Sequence, residues 1–262
     1  MGIWINPMAA ESLTEGRNMS RVAKWYIALV VASGTGILLL AASWWSSASL
    51  AQFAALLCFT LLASTLKVRI PGMTSTISPN FAFLLIGMAF FSFSQVMVAA
   101  AGAALVQSLW RPKSRPRVVQ VVFSVATLVL SSAFAFSVAH LMVRPLDSNN
   151  AAALVVVAGT LYFFLNTVLV SMVVGLTEGQ PLQQACQHCF EWVFPYFAFG
   201  IVVMGLMSGS FSTVTAWRSS LQVAPAMVLA HLYFLGRSKK QVEARTASEE
   251  AEELLAGSSA RG

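Results

Sequence analysis

The residues with the most obvious capacity for chemistry are Cys186-Gln187-His188-Cys189. Two thiols separated by two residues can hold a metal or form a redox pair, and His188 adds an imidazole between them. That supplies three ligands where a structural zinc site takes four. Phe190 stands where a haem-attachment motif needs histidine. No strand-then-helix pattern places the motif in a thioredoxin-like setting. His140 and His231 are solitary, and Cys58 lies within an apolar run, where a thiol serves as a small packing residue. No glycine-rich phosphate loop, nucleophile elbow or carboxylate pair is present. The sequence therefore predicts no enzyme, no metal site and no cofactor.

Uncharged polarity at helical spacing is the second candidate. Gln120, Ser124, Thr127 and Ser131 advance by four, three and four residues, which aligns them on one helix face. Gln95, Ala99, Ala103 and Gln107 do the same, with Gly102 beside them. Such a stripe has two uses. It can bind helices together, because small residues allow close approach and amides bond across the gap. Alternatively, Gln95, Gln107, Gln120, Ser124 and Thr127 can join Asn80 and Asn166 as the polar contacts of a small-molecule pocket.

The composition explains why these polar residues stand out. Of 262 residues 57% are hydrophobic and 10% charged, whereas a soluble domain carries about a quarter charged. Mean hydropathy is +0.73. The supply of charge cannot cover a globular surface, so lipid is the expected solvent. The net charge of +6 sits in residues that flank apolar runs, which argues for membrane topology and against nucleic acid. Some two dozen mostly polar residues precede the first apolar run, which is long enough to span, unlike a secretory signal.

The expected fold is all-α: a polytopic transmembrane bundle of six to eight spans with a short-helix hairpin at about 79–110. Residues 1–24 form a cytoplasmic lead, 25–236 a single membrane domain, and 237–262 a frayed or disordered cytoplasmic tail. Spans are expected at Trp25–Trp45, with Gly34 and Gly36 for close contact, and at Leu50–Leu66, Val118–Val143, Ala151–Leu176, Trp192–Met207 and Ser220–Leu235. Thr177–Glu191 reads as a polar connector in the form of a short surface helix.

The segment Lys67–Asn80 interrupts the pattern, with Pro71, Gly72 and Pro79 as residues that shape the backbone. After it, Phe81–Trp110 divides at Ser92-Phe93-Ser94 into helices of about 14 and 17 residues, or roughly 21 and 25 Å. Both fall short of a ~30 Å hydrocarbon core. They are either a thin pair of spans or a re-entrant hairpin covered by protein, since irregular backbone exposed to lipid would leave amides unpaired.

Alternating the loops places 14 of the 16 basic residues on one side, leaving Arg144 and Arg218 opposite. The positive-inside rule then puts both termini in the cytoplasm. Arg111, Lys113, Arg115 and Arg117 form the densest basic cluster, a topology signal that can also face a cytoplasmic partner. No charged side chain falls within an expected span, which disfavours ion- or proton-coupled transport and leaves recognition of neutral molecules open.

Several stretches resemble a known bacterial module. They are Leu66-Lys67-Val68-Arg69-Ile70-Pro71-Gly72, Ser78-Pro79-Asn80-Phe81, Leu161 to Thr167, Leu176-Thr177-Glu178-Gly179 and Phe194-Pro195-Tyr196. The module is the multi-pass N-terminal membrane domain found ahead of HD-GYP or GGDEF cyclic-di-GMP signalling domains, and the resemblance covers about residues 25–236. More loosely, the layout is similar to the substrate-binding component of energy-coupling-factor vitamin transporters. The resemblance implies a sensor or solute-binding role and supplies no ligand residues. Only about 25 residues follow Arg237, without HD or GGDEF sequence, so any output is expected to pass through a partner.

Three functions follow as expectations. The first is a bacterial inner-membrane, sensor-like module that binds a small or lipophilic molecule and signals through a cytoplasmic or membrane partner. The second is the substrate-capture component of an uptake system, in which Ala99 and Ala103 either dock a transporter subunit or pack within the bundle. The third is a structural or assembly protein without ligand.

Overall fold

The computed structural model describes residues 20–45, 50–69, 76–112, 116–143, 150–178 and 182–208, with isolated helical positions between 225 and 240. Seven helices and one short ribbon are described between 21 and 208: α1 (Arg21–Ser43), α2 (Leu50–Thr65), β1 (Val68–Arg69), β2 (Thr76–Ile77), α3 (Asn80–Phe90), α4 (Phe93–Leu109), α5 (Val118–Met142), α6 (Ala151–Glu178) and α7 (Leu182–Ser208). The all-α expectation holds. Among the described residues three helices have the length and hydropathy to cross a membrane: Arg21–Ser43, Val118–Met142 and Ala151–Thr177. The other apolar segments, Leu50–Thr65, Asn80–Phe90, Phe93–Leu109 and Val193–Gly205, are shorter.

At the centre is α3. All of its residues from Asn80 to Met88 are buried, on every face. It packs against α2, α4, α6 and α7. A helix apolar all round belongs in a core, and one of 11 residues is too short to persist alone in water. Its neighbours therefore hold it. Phe81 stacks on Phe197 of α7 at 4.1 Å, and Phe83 on Phe59 of α2 at 5.9 Å. A Cβ at Gly200 would run into the Phe81 ring, and one at Gly87 would touch Leu56.

The short-helix hairpin is formed by α3 and α4. They run antiparallel, with Asn80 beside Gln107 at one end and Gly87 beside Val96 nearer the other. The break falls slightly before the expected one. Phe91 is extended (φ −120°, ψ 165°), and Ser92 starts α4 with a reciprocal cap in which its Oγ accepts from Gln95 N–H while Gln95 Oε1 accepts from Ser92 N–H. Consequently α3 is shorter than expected, 11 residues against about 14, while α4 has the expected 17.

Long helices enclose the hairpin. α5 packs against α1, α4 and α6, and α6 packs against α7. α1 begins at Arg21, where Ser20 Oγ accepts from Ala23 N–H. α1 and α5 approach closely at Gly34, whose Cβ would lie 2.6 Å from Ala126 Cα. Gly36, also expected at a contact, has open space beside it. The expected Thr177–Glu191 connector is helical in its described residues, as parts of two longer helices and not as a short helix of its own. α6 continues to Glu178, and α7 runs unbroken from Leu182 through Pro195 to Ser208. Burial of the flanking aromatics, Tyr196 and Phe197, accompanies the proline and helps keep the helix in place.

Candidate functional site

Asn80 and Gln107 meet as the spacing allowed, at the base of the hairpin. Asn80 opens α3 immediately after buried Pro79, whose fixed φ suits a helix start. Its Nδ2 donates to Ser64 Oγ at 3.2 Å and to Gln107 Oε1 at 3.4 Å. Ser64 Oγ in turn donates to Thr60 O, and Thr60 Oγ1 to Leu56 O, each at 2.8 Å. Side chains from α2, α3 and α4 thus share one buried, mutually bonded node. Ser64 was not singled out from sequence, because a serine bonding to its own helix has no distinctive spacing.

One helical turn further out, Lys67 Nζ donates to Trp110 O at 2.6 Å, a cation on the C-terminal carbonyls of α4. Desolvation holds the Lys67 ammonium below the usual lysine range. The β1–β2 ribbon pairs Val68 with Ile77 and Arg69 with Thr76. The segment expected to be an irregular loop is thereby closed at its neck. Pro71 and Gly72 lie outside the described residues.

Two of the predicted ligand amides are engaged in helix capping. Gln95 is the third residue of α4 and bonds to Ser92. Gln120 holds the same position in α5, where its Oε1 accepts from Arg117 N–H at 3.0 Å. The stripe spacing could not reveal this. An amide three residues inside a helix start reaches back to the free N–H groups there.

The remaining predicted contacts lie on α5 and α6. Ser124, Thr127 and Asn166 are buried, as are Ser131, Ser132, Thr167 and Ser171. Phe123, Ala126 and Leu130 share an apolar cluster with Leu165, Leu169 and Val173, so α5 and α6 pack together along this stretch. Thr127 Oγ1, Ser131 Oγ, Ser132 Oγ, Asn166 Oδ1, Thr167 Oγ1 and Ser171 Oγ all lack a hydrogen-bond partner. Asn80, Ser64 and Gln107 thus bond to one another, whereas Ser78 Oγ and Ser108 Oγ beside them share the unpartnered state of the six atoms on α5 and α6.

Arg111 and Arg117 are exposed, with the Arg111 guanidinium 5.9 Å from the Trp110 ring centroid. Arg111 has φ 40° as the chain leaves α4. Lys113 and Arg115 lie outside the described residues. Ala99 and Ala103 are buried inside the bundle, so they pack the hairpin and present no docking face. Cys58 is exposed on α2, contrary to a packing role, and Cys186 lies on α7. Among the described residues no group of three His, Cys, Asp or Glu side chains could hold a metal.

Fold and site together define an all-α bundle with three helices long and apolar enough to cross a membrane. Among the described residues its buried polar side chains are uncharged. Compared with family models, curated proteins and solved structures, the chain matches none.

Proposed function

We propose that this protein is a multi-pass module of a bacterial inner membrane, with both termini cytoplasmic, that binds a small uncharged molecule within its bundle and reports occupancy to a partner. The observation supporting this is the set of six unpartnered polar atoms on α5 and α6. A buried donor or acceptor without a partner costs about 1–3 kcal/mol. Asn80, Ser64 and Gln107, by contrast, satisfy one another across three helices. A molecule with both donors and acceptors would satisfy the hydroxyls and the Asn166 Oδ1. α5 and α6 carry no Asp, Lys or Arg, and Glu178 lies only at the last position of α6. A neutral ligand therefore suits the site.

Native mass spectrometry after gentle extraction tests this. The wild type is expected to carry a small-molecule adduct that Asn166→Leu and Thr127→Val both lose. A wild type without adduct, together with variants changed only in stability, would leave the α5–α6 polarity without a ligand role.

A further inference from the structure

The bundle has two hydrophobic heights. Phe93, the first residue of α4, lies against Phe136 of α5, with ring centroids 5.5 Å apart at a steep angle. α5 continues to Met142, so its last six residues rise about 9 Å beyond the start of α4. Among them Ser137 is exposed and His140 half-buried, and the last two are apolar and outward, with Leu141 70% and Met142 67% exposed. The end of α1 lies at the lower level. Ser94 Oγ donates to Trp44 O at 2.9 Å, and Trp45 packs edge-on against Phe53 of α2, which packs against Phe91.

The lower flank carries markers of a lipid–water boundary at both ends. Trp44 and Trp45 are exposed at one end, and Trp110, Arg111 and Lys67 lie at the other. Between them α2 has 16 residues and α4 has 17, or about 24 and 26 Å of helix. Exposed Leu62, Val98 and Leu105 face outward along this height. α5, by contrast, runs 25 residues from Val118 to Met142, or about 38 Å, with Val118, Val119, Val122, Phe134, Leu141 and Met142 exposed along it. Helix tilt alone cannot match both, because α4 and α5 pack against each other.

We infer that the α2–α4 flank, with the end of α1, binds a locally thinned hydrocarbon layer and favours phospholipids with short acyl chains. This rests on the membrane reading, without depending on the ligand proposed for α5 and α6. A short hydrophobic stretch either thins the surrounding bilayer or selects a thin one.

The test uses the intact protein in phosphatidylcholine vesicles with monounsaturated chains of fourteen, eighteen or twenty-two carbons and no other small molecule. The unfolding midpoint is expected to be highest in the fourteen-carbon bilayer and to fall by roughly 5 °C or more in the twenty-two-carbon one. In mixed vesicles, brominated fourteen-carbon lipid should quench tryptophan more than its mole fraction predicts. An optimum at eighteen carbons or longer, or quenching proportional to mole fraction, overturns the inference. Extraction of the protein from all three bilayers by alkaline carbonate would overturn the membrane reading and this inference with it.

Discussion

Asn80 ties the hairpin to the helix before it. It joins α3 to both α2 and α4 through Ser64 and Gln107. Asn80→Ala removes two buried bonds and should cost about 1–2 kcal/mol, measured as a lowered midpoint of thermal unfolding in micelles. An unchanged midpoint would mean that the node adds nothing to stability. Two glycines make a sharper comparison because they differ only in surroundings. A Cβ at Gly34 meets Ala126 backbone, whereas one at Gly36 meets nothing within 4 Å. Gly34→Ala should therefore destabilise by about 1–3 kcal/mol by forcing α1 away from α5. Gly36→Ala should be neutral or stabilise by up to about 1 kcal/mol through helix propensity. Equal effects would contradict the close approach of α1 to α5.

Among the elements, α3 depends most on its surroundings. Its hydrophobicity is continuous, so no stripe marks a preferred face, and packing on four sides takes the place of amphipathicity. The turn into α4 is specified locally by the Ser92–Gln95 cap. Ser92→Ala should cost about 1 kcal/mol, and Gln95→Ala in the same background should add little, because the two residues form one reciprocal unit. Fully additive losses in thermal unfolding would show that they act separately.

For the whole molecule, sidedness is the property most open to direct measurement. Lys24, Lys67, Arg111 and Arg117 belong to the basic set that the positive-inside rule assigns to the cytoplasm. Cys186 lies near the start of α7, on the same side under this assignment, while Cys58 is exposed in the middle of apolar α2. In a Cys189→Ser variant, a membrane-impermeant maleimide should label Cys186 in inside-out vesicles and spare it in intact spheroplasts. Cys58 should remain unlabelled in both. The reverse pattern at Cys186 would invert the proposed topology.

Sequence alone was enough for properties that depend on composition or on neighbours along the chain. The apolar runs that lie within the described residues and the short pair after Pro79 all form helices, because backbone groups in an apolar setting must bond within their own segment. The run expected at Ser220–Leu235 lies mostly outside the described residues. Tertiary structure decided what each polar residue does. Equal spacing along a helix does not distinguish an amide that caps a helix start, such as Gln95 or Gln120, from one that bonds across helices, such as Gln107. Nor does it distinguish either from Asn166, whose Oδ1 has no partner. These outcomes depend on which chain segment arrives opposite the side chain, and that is set by packing around α3. The two heights of the bundle have the same origin. Helix lengths can be read approximately from the sequence, but the step of about 9 Å exists only because Phe93 docks against Phe136 well before α5 ends.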